Sequence, residues 1–379
     1  MVLTQMVFDR YLLKNLLLAT AFTALSLAAV IMLTQSLRFL ELIINSGASG
    51  VSFFMLTMLA MPRFFEVILP IALMIAVLFI YNRLSADSEI AVMKSTGFSP
   101  MRLSRPALAL ASAVLVMVLA ITTWLAPVAL ASMQTMRVTI KAQYSTMLLR
   151  EGIFNEVGRD LTVYIHKRGG GGEMEGLLIH DTRGDKAMPV TIIAKRGVIV
   201  SDDDGQQVVV YEGSRQELNP ENGVLSRLDF DRYSLDLPES GPVRQRWKEP
   251  DERTFWELIN PDEKIKSDPK AAREFRIEAH RRIVGPFLAL SFTVMALCCL
   301  LLGPSDRRGL AKKIVIASAG VVILQGLYLV AYNLAKDSAG GLALMYLLVF
   351  APLLAGLYLL SAASEKARAA LARKFGHWL

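Results

Sequence analysis

Apolar positions along this chain gather into long unbroken runs instead of recurring at helix or strand period. The first run, Asn15–Leu37, contains no Asp, Glu, Lys or Arg. At the helical rise it reaches roughly 35 Å, enough to cross a hydrocarbon core of about 30 Å. Five more follow, at about Pro62–Asn82, Ala107–Leu130, Ile283–Gly303, Ile314–Ala335 and Leu342–Ala363. The pattern predicts three membrane helices, a long polar insertion, and three more helices. The first run far exceeds the apolar core of a signal peptide, roughly 7–15 residues, so it is expected to stay as an uncleaved span. The second has an uncharged approach, Val51–Met61, and contains Pro62 and Pro70, which can interrupt a helix. An interfacial segment that turns into the span near Pro62 is expected. Arg63 and Glu66, at i and i+3, are spaced to pair with each other.

Within the insertion the period changes to that of strands. Val163 and Ile165 alternate with polar neighbours, and Leu177–Ile179, Val190–Ala194, Val198–Val200 and Val208–Tyr211 are short runs bounded by turn residues. Leu225–Leu237 alternates, then slips phase between Phe230 and Tyr233, which predicts a β-bulge near Arg232. Gly169–Gly172 and Asp202–Gly205 read as hairpin tips. Thr254–Ile259 and Lys270–Arg282 read as helices returning the chain to the membrane, the second opened by Asp268-Pro269. The predicted fold is a polytopic α-helical membrane protein of 3 + 3 spans with an inserted all-β, jelly-roll-like domain. Its parts are an N-terminal membrane half (1–135), the β-domain (136–270) and a C-terminal membrane half (271–379).

Composition strengthens this reading. Of 379 residues 53% are hydrophobic, and the mean hydropathy is +0.42, beyond the range of most soluble domains. The net charge of +7 does not imply nucleic acid, because Lys and Arg cluster at span ends. Arg83, Lys94, Arg102 and Arg105 follow span 2; Arg307, Arg308, Lys312 and Lys313 follow span 4; Lys366, Arg368, Arg373 and Lys374 lie in the tail. The alternate loops carry only Arg38 with Glu41, and Lys336 with Asp337. By the positive-inside rule both termini are cytoplasmic and the β-domain lies outside, which in a bacterium means the periplasm. Arg273, Arg276, Arg281 and Arg282 near the bilayer fit anionic lipid and simple interfacial solvation equally.

Candidate chemistry is sparse. Cys298 and Cys299 are adjacent in an apolar span and unsuited to a structural disulfide with each other. His166 and His180 have no His or Cys at metal-ligand spacing and read as strand-surface residues. Asp202–Asp204 lacks the Glu that completes a calcium loop. No phosphate-binding G-x-x-x-x-G-K-[ST] occurs, so no catalytic, metal or cofactor site is expected in this chain.

The sharpest constellation is the loop Arg83–Arg105. Ser85 is placed to cap a helix, Asp87 and Glu89 fall in its first turn, Ile90 and Met93 form an apolar edge, and Gly97 sits at a left-handed stop. Ser99-Pro100 starts the next helix. A short helix over about Ala86–Thr96 is therefore expected on the cytoplasmic face. A connector needs fewer residues, so this helix suits docking into a groove of a soluble partner.

The segment Ile68-Leu69-Pro70-Ile71-Ala72-Leu73, followed by Asn82-Arg83-Leu84-Ser85-Ala86-Asp87-Ser88-Glu89-Ile90-Ala91-Val92-Met93-Lys94-Ser95-Thr96-Gly97-Phe98-Ser99, resembles the LptF/LptG (YjgP/YjgQ) family of lipopolysaccharide-export permeases. The Ser88–Ser99 stretch favours the LptF branch. The resemblance covers the whole chain and implies a permease that pairs with a paralogous LptG-like chain. It implies two copies of an LptB-like ATPase that bind ATP and Mg, and an LptC-like single-span bridge protein. Lipopolysaccharide would leave the inner membrane for a periplasmic bridge of similar β-domains. Glu89 matches the family's coupling-helix acidic residue, with Ser85, Asp87, Ile90, Met93 and Gly97 around it. Arg38 matches a basic residue near the outer end of span 1, with Gln35 and Leu37 beside it, and Ser36 stands where a further basic residue often sits. Arg38 and Arg63 are the expected phosphate contacts. The small residues Ala19, Ala21, Ala24, Ala28 and Ala29 suit a separable gate with the partner permease. Val163, Ile165, Ile192 and Phe230 are candidate lining of a lipid path, though ordinary domain core is the favoured reading of these four. Two other classes compete: a non-transporting mechanical transmitter or scaffold coupled to an ATPase, and a membrane-embedded transferase, which would need convergent Asp, Glu or His that the sequence does not show.

Overall fold

A computed structural model describes residues 2–46, 49–147, 151–156, 161–169, 173–182, 189–202, 205–218, 223–236, 247–302 and 310–364. The loop 303–309 with Arg307 and Arg308, and the tail 365–379 with its basic residues, lie outside these, as do 170–172 and 203–204 at the two expected hairpin tips. The chain divides into two compact units, one of 1–36, 57–131 and 248–379, the other of 37–56 and 132–247.

Among the described residues six helical segments are long and apolar enough to cross a membrane: Phe8–Glu41, Gly50–Ala86, Pro100–Ile140, Pro269–Leu301, Ala311–Asp337 and Gly340–Leu360. They belong to α1 (Val2–Ser46), α2 (Gly50–Ala86), α4 (Pro100–Ala120) continued by a π-turn (Ile121–Leu125) into α5 (Ala126–Met147), α8 (Pro269–Val284) continued by a 3-10 turn into α9 (Leu288–Leu301), α10 (Leu310–Asp337) and α11 (Ala339–Leu360). A short α3 (Glu89–Ser95) joins spans 2 and 3, and α6 (Phe255–Ile259) and α7 (Glu263–Lys266) precede span 4. The first five spans exceed their predicted apolar runs because helix continues into the interface, whereas the sixth, Gly340–Leu360, does not. The expected turn near Pro62 is absent: α2 runs unbroken from Gly50 through Pro62 and Pro70. In an apolar stretch, opening the helix exposes more backbone than the single donor a proline removes.

The core of the membrane unit forms around α9. Ala289, Phe292, Val294, Ala296, Leu297, Leu300 and Leu301 are buried, packed with Leu73, Val77 and Tyr81 of α2, Leu103, Ala107 and Ala111 of α4, and residues of α10 and α11. Ala24 and Ala28 of α1 are buried against Ile68 and Ala72 of this chain's own α2. They are therefore spent on an internal contact and not free for a gate, whereas Ala21 and Ala29 are exposed.

The inserted domain is one six-stranded antiparallel sheet in sequence order: β1 (Phe154–Glu156), β2 (Leu161–Arg168), β3 (Glu173–Asp181), β4 (Val190–Asp202), β5 (Gly205–Leu218) and β6 (Leu225–Asp236). The two runs at 190–194 and 198–200 merge into the single long β4. No residue is inserted near Arg232, so the expected bulge does not form: Tyr211 pairs with Arg232 and Gly213 with Phe230 in one register. A seam crosses the sheet instead. His166/Gly176, Gly176/Lys195, Lys195/Glu212 and Glu212/Asp231 are each skipped in otherwise continuous ladders. Gly176 (φ 66°) and Glu212 (φ 53°) have left-handed backbone there, and the inward parity changes across it. Leu177 and Phe230 face the core on one side, Met174 and Tyr233 on the other. Glu212 is exposed; Lys195 and Arg196 bond it at 3.0 and 2.8 Å and hold its carboxyl below the usual range.

Candidate functional site

Two regions of the membrane unit concentrate polar chemistry. The first is the loop between spans 2 and 3. α2 runs to Ala86, so Ser85 lies inside it and is not a cap; Ser88 occupies the cap position of α3 with left-handed backbone (φ 63°) and no capping side-chain bond. The helix is shorter than the expected 86–96 because Asp87 and Ser88 form a turn closed onto Arg83 and Ser85. Gly97 (φ 89°) ends it as foreseen: Phe98 N–H donates to Met93 O and Gly97 N–H to Lys94 O, both at 3.1 Å, satisfying carbonyls the helix leaves open. Ser99 then accepts from Arg102 N–H and caps α4.

The orientation of α3 departs from expectation. Ile90 is buried and Met93 half-buried in the membrane unit's own core, so the apolar edge holds the helix to its own chain. Asp87, Glu89, Ala91, Ser95 and Thr96 face out, with Val92 62% exposed. Lys94 Nζ donates to Leu301 O at 2.9 Å, fastening α3 to the end of span 4.

The second region lies at the other ends of spans 2, 4 and 5. Arg63 and Glu66 do not pair with each other as expected. Arg63 bonds Asp251 of the Pro250–Glu252 turn at 2.5 Å, and Glu66 accepts from Arg281 of α8, so each takes its partner from a distant segment. Glu278 receives Arg281 through two bonds of 2.8 Å, Arg282 at 3.0 Å and the Tyr332 hydroxyl at 3.1 Å. Arg282, 1% exposed, also donates to the carbonyls of Pro250, Asp251 and Arg253. Arg281 and Arg282 are thus buried structural cations, answering neither expectation of lipid contact nor of interfacial solvation. A buried charge persists only with partners, and two guanidinium groups here face two carboxylates.

Beside this network opens a cavity of about 560 Å³ lined by residues of α2, the Glu249–Asp251 turn, α8, α9 and α10. Its apolar side is Phe64, Val67, Pro70, Leu288, Phe292 and Leu329; Arg63, Arg281 and Lys336 supply cations, and Glu66, Glu249, Asp251, Glu274 and Glu278 supply carboxylates. Arg63 remains half-exposed despite its bond to Asp251, and Lys336 sits over the Tyr332 ring at 4.9 Å. Among the described residues the buried Tyr328 hydroxyl has no hydrogen-bond partner, and the side chain lines the same cavity. Such a volume accepts a phosphorylated sugar or the root of an acyl chain, not a whole multi-acylated lipid.

Of the other expected site residues, Gln35, Leu37 and Arg38 lie on continuous α1, Arg38 and Leu37 exposed. Val163, Ile165 and Ile192 are fully buried in the sheet core and Phe230 packs half-buried against it. Sequence reasoning passed over Glu278, Tyr328 and Tyr332. The signal was present: Glu278, Arg281 and Arg282 at i, i+3 and i+4 on one helix, and Tyr328, Tyr332 and Lys336 one turn apart on span 5. Among the described residues no three His, Cys, Asp or Glu side chains gather as metal ligands would.

Comparison with known proteins gives the family. The chain is 26% identical to an uncharacterized protein of Rickettsia prowazekii (strain Madrid E) over 94% of its own length and 98% of that protein's. It is 23% identical to the lipopolysaccharide export system permease protein LptG of Escherichia coli K12, over 78% of this chain and 80% of LptG. The family model for lipopolysaccharide export system permease LptF/LptG matches residues 10–362. With six spans and an inserted β-domain to carry it, this chain belongs to the LptF/LptG family of lipopolysaccharide export system permeases.

Proposed function

We propose that this chain is one of two permease subunits that extract lipopolysaccharide from the inner membrane and pass it to a periplasmic bridge. A separate ATPase dimer, holding ATP and Mg, supplies the work. The Ser88–Ser99 stretch supports the LptF branch, with an LptG-like partner and an LptC-like bridge protein alongside. Both termini lie in the cytoplasm and the β-domain in the periplasm, following the Lys and Arg bias of the loops.

The observation that carries this reading is the half-apolar cavity with Arg63 and Lys336 at its rim. Glu66 and Glu278 answer Arg281 and Arg282, and Asp251 holds Arg63, so Lys336 is the lining cation with no carboxylate partner among the described residues, and Arg63 would meet a lipid phosphate by exchanging Asp251 for it. Arg38, with Gln35 and Leu37, meets the same ligand on span 1 near the partner permease. The exposed face of α3, with Glu89 and Asp87, docks the ATPase, and the Lys94–Leu301 bond carries its movement into span 4. The inner face of the sheet, with Val163, Ile165, Ile192 and Phe230, takes acyl chains once the sheet opens along its seam. The test is reconstitution with the partner permease and ATPase in proteoliposomes containing lipopolysaccharide. ATP-dependent release of the lipid to the bridge protein is expected; ATP hydrolysis without release, from a fully assembled complex, favours the transmitter reading.

A further inference from the structure

A second cavity, of about 550 Å³, lies on a different surface of span 4, between α6, α7 and α8. Its wall on α8 is one helical stripe, Ala272, Arg276, Ala279, His280 and Ile283. Phe255, Leu258 and Ile259 of α6 form an apolar floor, and Lys266 of α7 stands at the rim. None of its residues lines the cavity at Arg63. Arg276 and Lys266 are exposed, and neither bonds a carboxylate among the described residues. His280 is anchored by a 2.8 Å bond to Tyr346 of span 6, which fixes this wall to the membrane core.

Depth along span 4 identifies the environment. Counting back about 30 Å, roughly 20 residues, from Leu301 reaches Arg281 and Arg282 as the edge of the hydrocarbon. Arg276 is then roughly 8 Å farther out, at the level of lipid headgroups. Trp256, 74% exposed on α6, fits the aromatic belt expected at that depth. A concavity with an apolar floor, two uncommitted cations and an interfacial position matches a glycerophospholipid with an anionic headgroup. One acyl chain would lie over Leu258, Ala279 and Ile283, and the phosphate between Arg276 and Lys266.

We propose that this cavity is a binding site for an anionic glycerophospholipid of the surrounding bilayer, separate from the route of the exported lipid. The site anchors the α6–α8 segment, and with it the Pro250–Arg253 turn that Arg282 holds, at the membrane surface.

The test is photocrosslinking of the full chain in nanodiscs containing a phosphatidylglycerol with a diazirine on one acyl chain, mapped by mass spectrometry. Adducts are expected on peptides covering 255–259 and 272–283. At about fivefold per cation near a membrane surface, Lys266→Gln with Arg276→Gln should cut them by more than about tenfold. Photoactivatable phosphatidylcholine should label these peptides severalfold less. Circular dichroism and melting of the variant confirm that it is folded. Labelling equal in the variant, or equal with phosphatidylcholine, would overturn the proposal. So would an absence of adducts in the folded wild type, or competition by a partner's membrane helix or by lipopolysaccharide in the assembled complex. Lipopolysaccharide release is read separately, so failure here and failure of the permease reading are distinct results.

Discussion

Glu278 is the most exacting place to perturb this membrane unit. Its side chain is 3% exposed and accepts four bonds, from Arg281, Arg282 and Tyr332. Glu278→Gln keeps the volume and one acceptor oxygen but leaves two guanidinium groups facing only Glu66. Neither arginine can shed its proton. At an effective dielectric constant near 20, each pair at about 4 Å contributes about 4 kcal/mol before desolvation is subtracted. Stranding one partner of a buried pair costs about 3–5 kcal/mol in practice. A loss of that size corresponds to a Tm fall of roughly 10 °C for a unit of this size. Removing the cation as well, in Glu278→Met with Arg282→Met, should recover part of the loss. It should not recover all, because the carbonyls of Pro250, Asp251 and Arg253 lose their donor at about 1–3 kcal/mol. The assay is thermal unfolding of the purified chain in nanodiscs, with exposed Asp87→Asn as the surface control. Glu278→Gln melting within about 2 °C of that control would refute the argument that these pairs hold spans 2, 4 and 5 together.

Three further outcomes follow from the same geometry. Glu89→Arg should sharply reduce co-purification of the ATPase without changing Tm, while Ile90→Asp should lower Tm by burying an unpaired carboxylate; undiminished ATPase binding by Glu89→Arg would remove the coupling role. Gly97→Ala should cost about 1 kcal/mol or more at its left-handed backbone, and Gly97→Asn less; equal melting of the two would contradict that assignment. Arg63→Glu sets a carboxylate beside Asp251 and should lower the lipopolysaccharide retained on purification severalfold with partner assembly intact, whereas unchanged retention would take Arg63 off the ligand's route.

The spans were legible because membrane helices announce themselves by uninterrupted apolar length, a signal that does not depend on partners. The stop at Gly97 and the starts at Ser99 and Asp268 were legible for a similar reason: capping chemistry is local. What failed required knowledge of neighbours. Arg63 and Glu66 have the spacing of a pair, but Asp251 and Arg281 are brought to them from nearly two hundred or more residues away. Ile90 and Met93 formed an apolar edge in sequence, and only tertiary packing decided that it faces inward. The phase slip between Phe230 and Tyr233 was real. Its cause lies along the seam, at Glu212 of the neighbouring β5 and at Gly176 of β3, where a left-handed residue turns the side chains without adding one to the ladder.

The central claim is that lipopolysaccharide passes over this chain at Arg63 and Arg38. A photoreactive amino acid placed in turn at positions 38 and 63, in the assembled complex in native membranes with ATP added or withheld, tests it most directly. The account predicts lipopolysaccharide adducts at both positions that change in yield on adding ATP. A well-assembled complex giving no adduct at either position, or adducts indifferent to ATP, would contradict it.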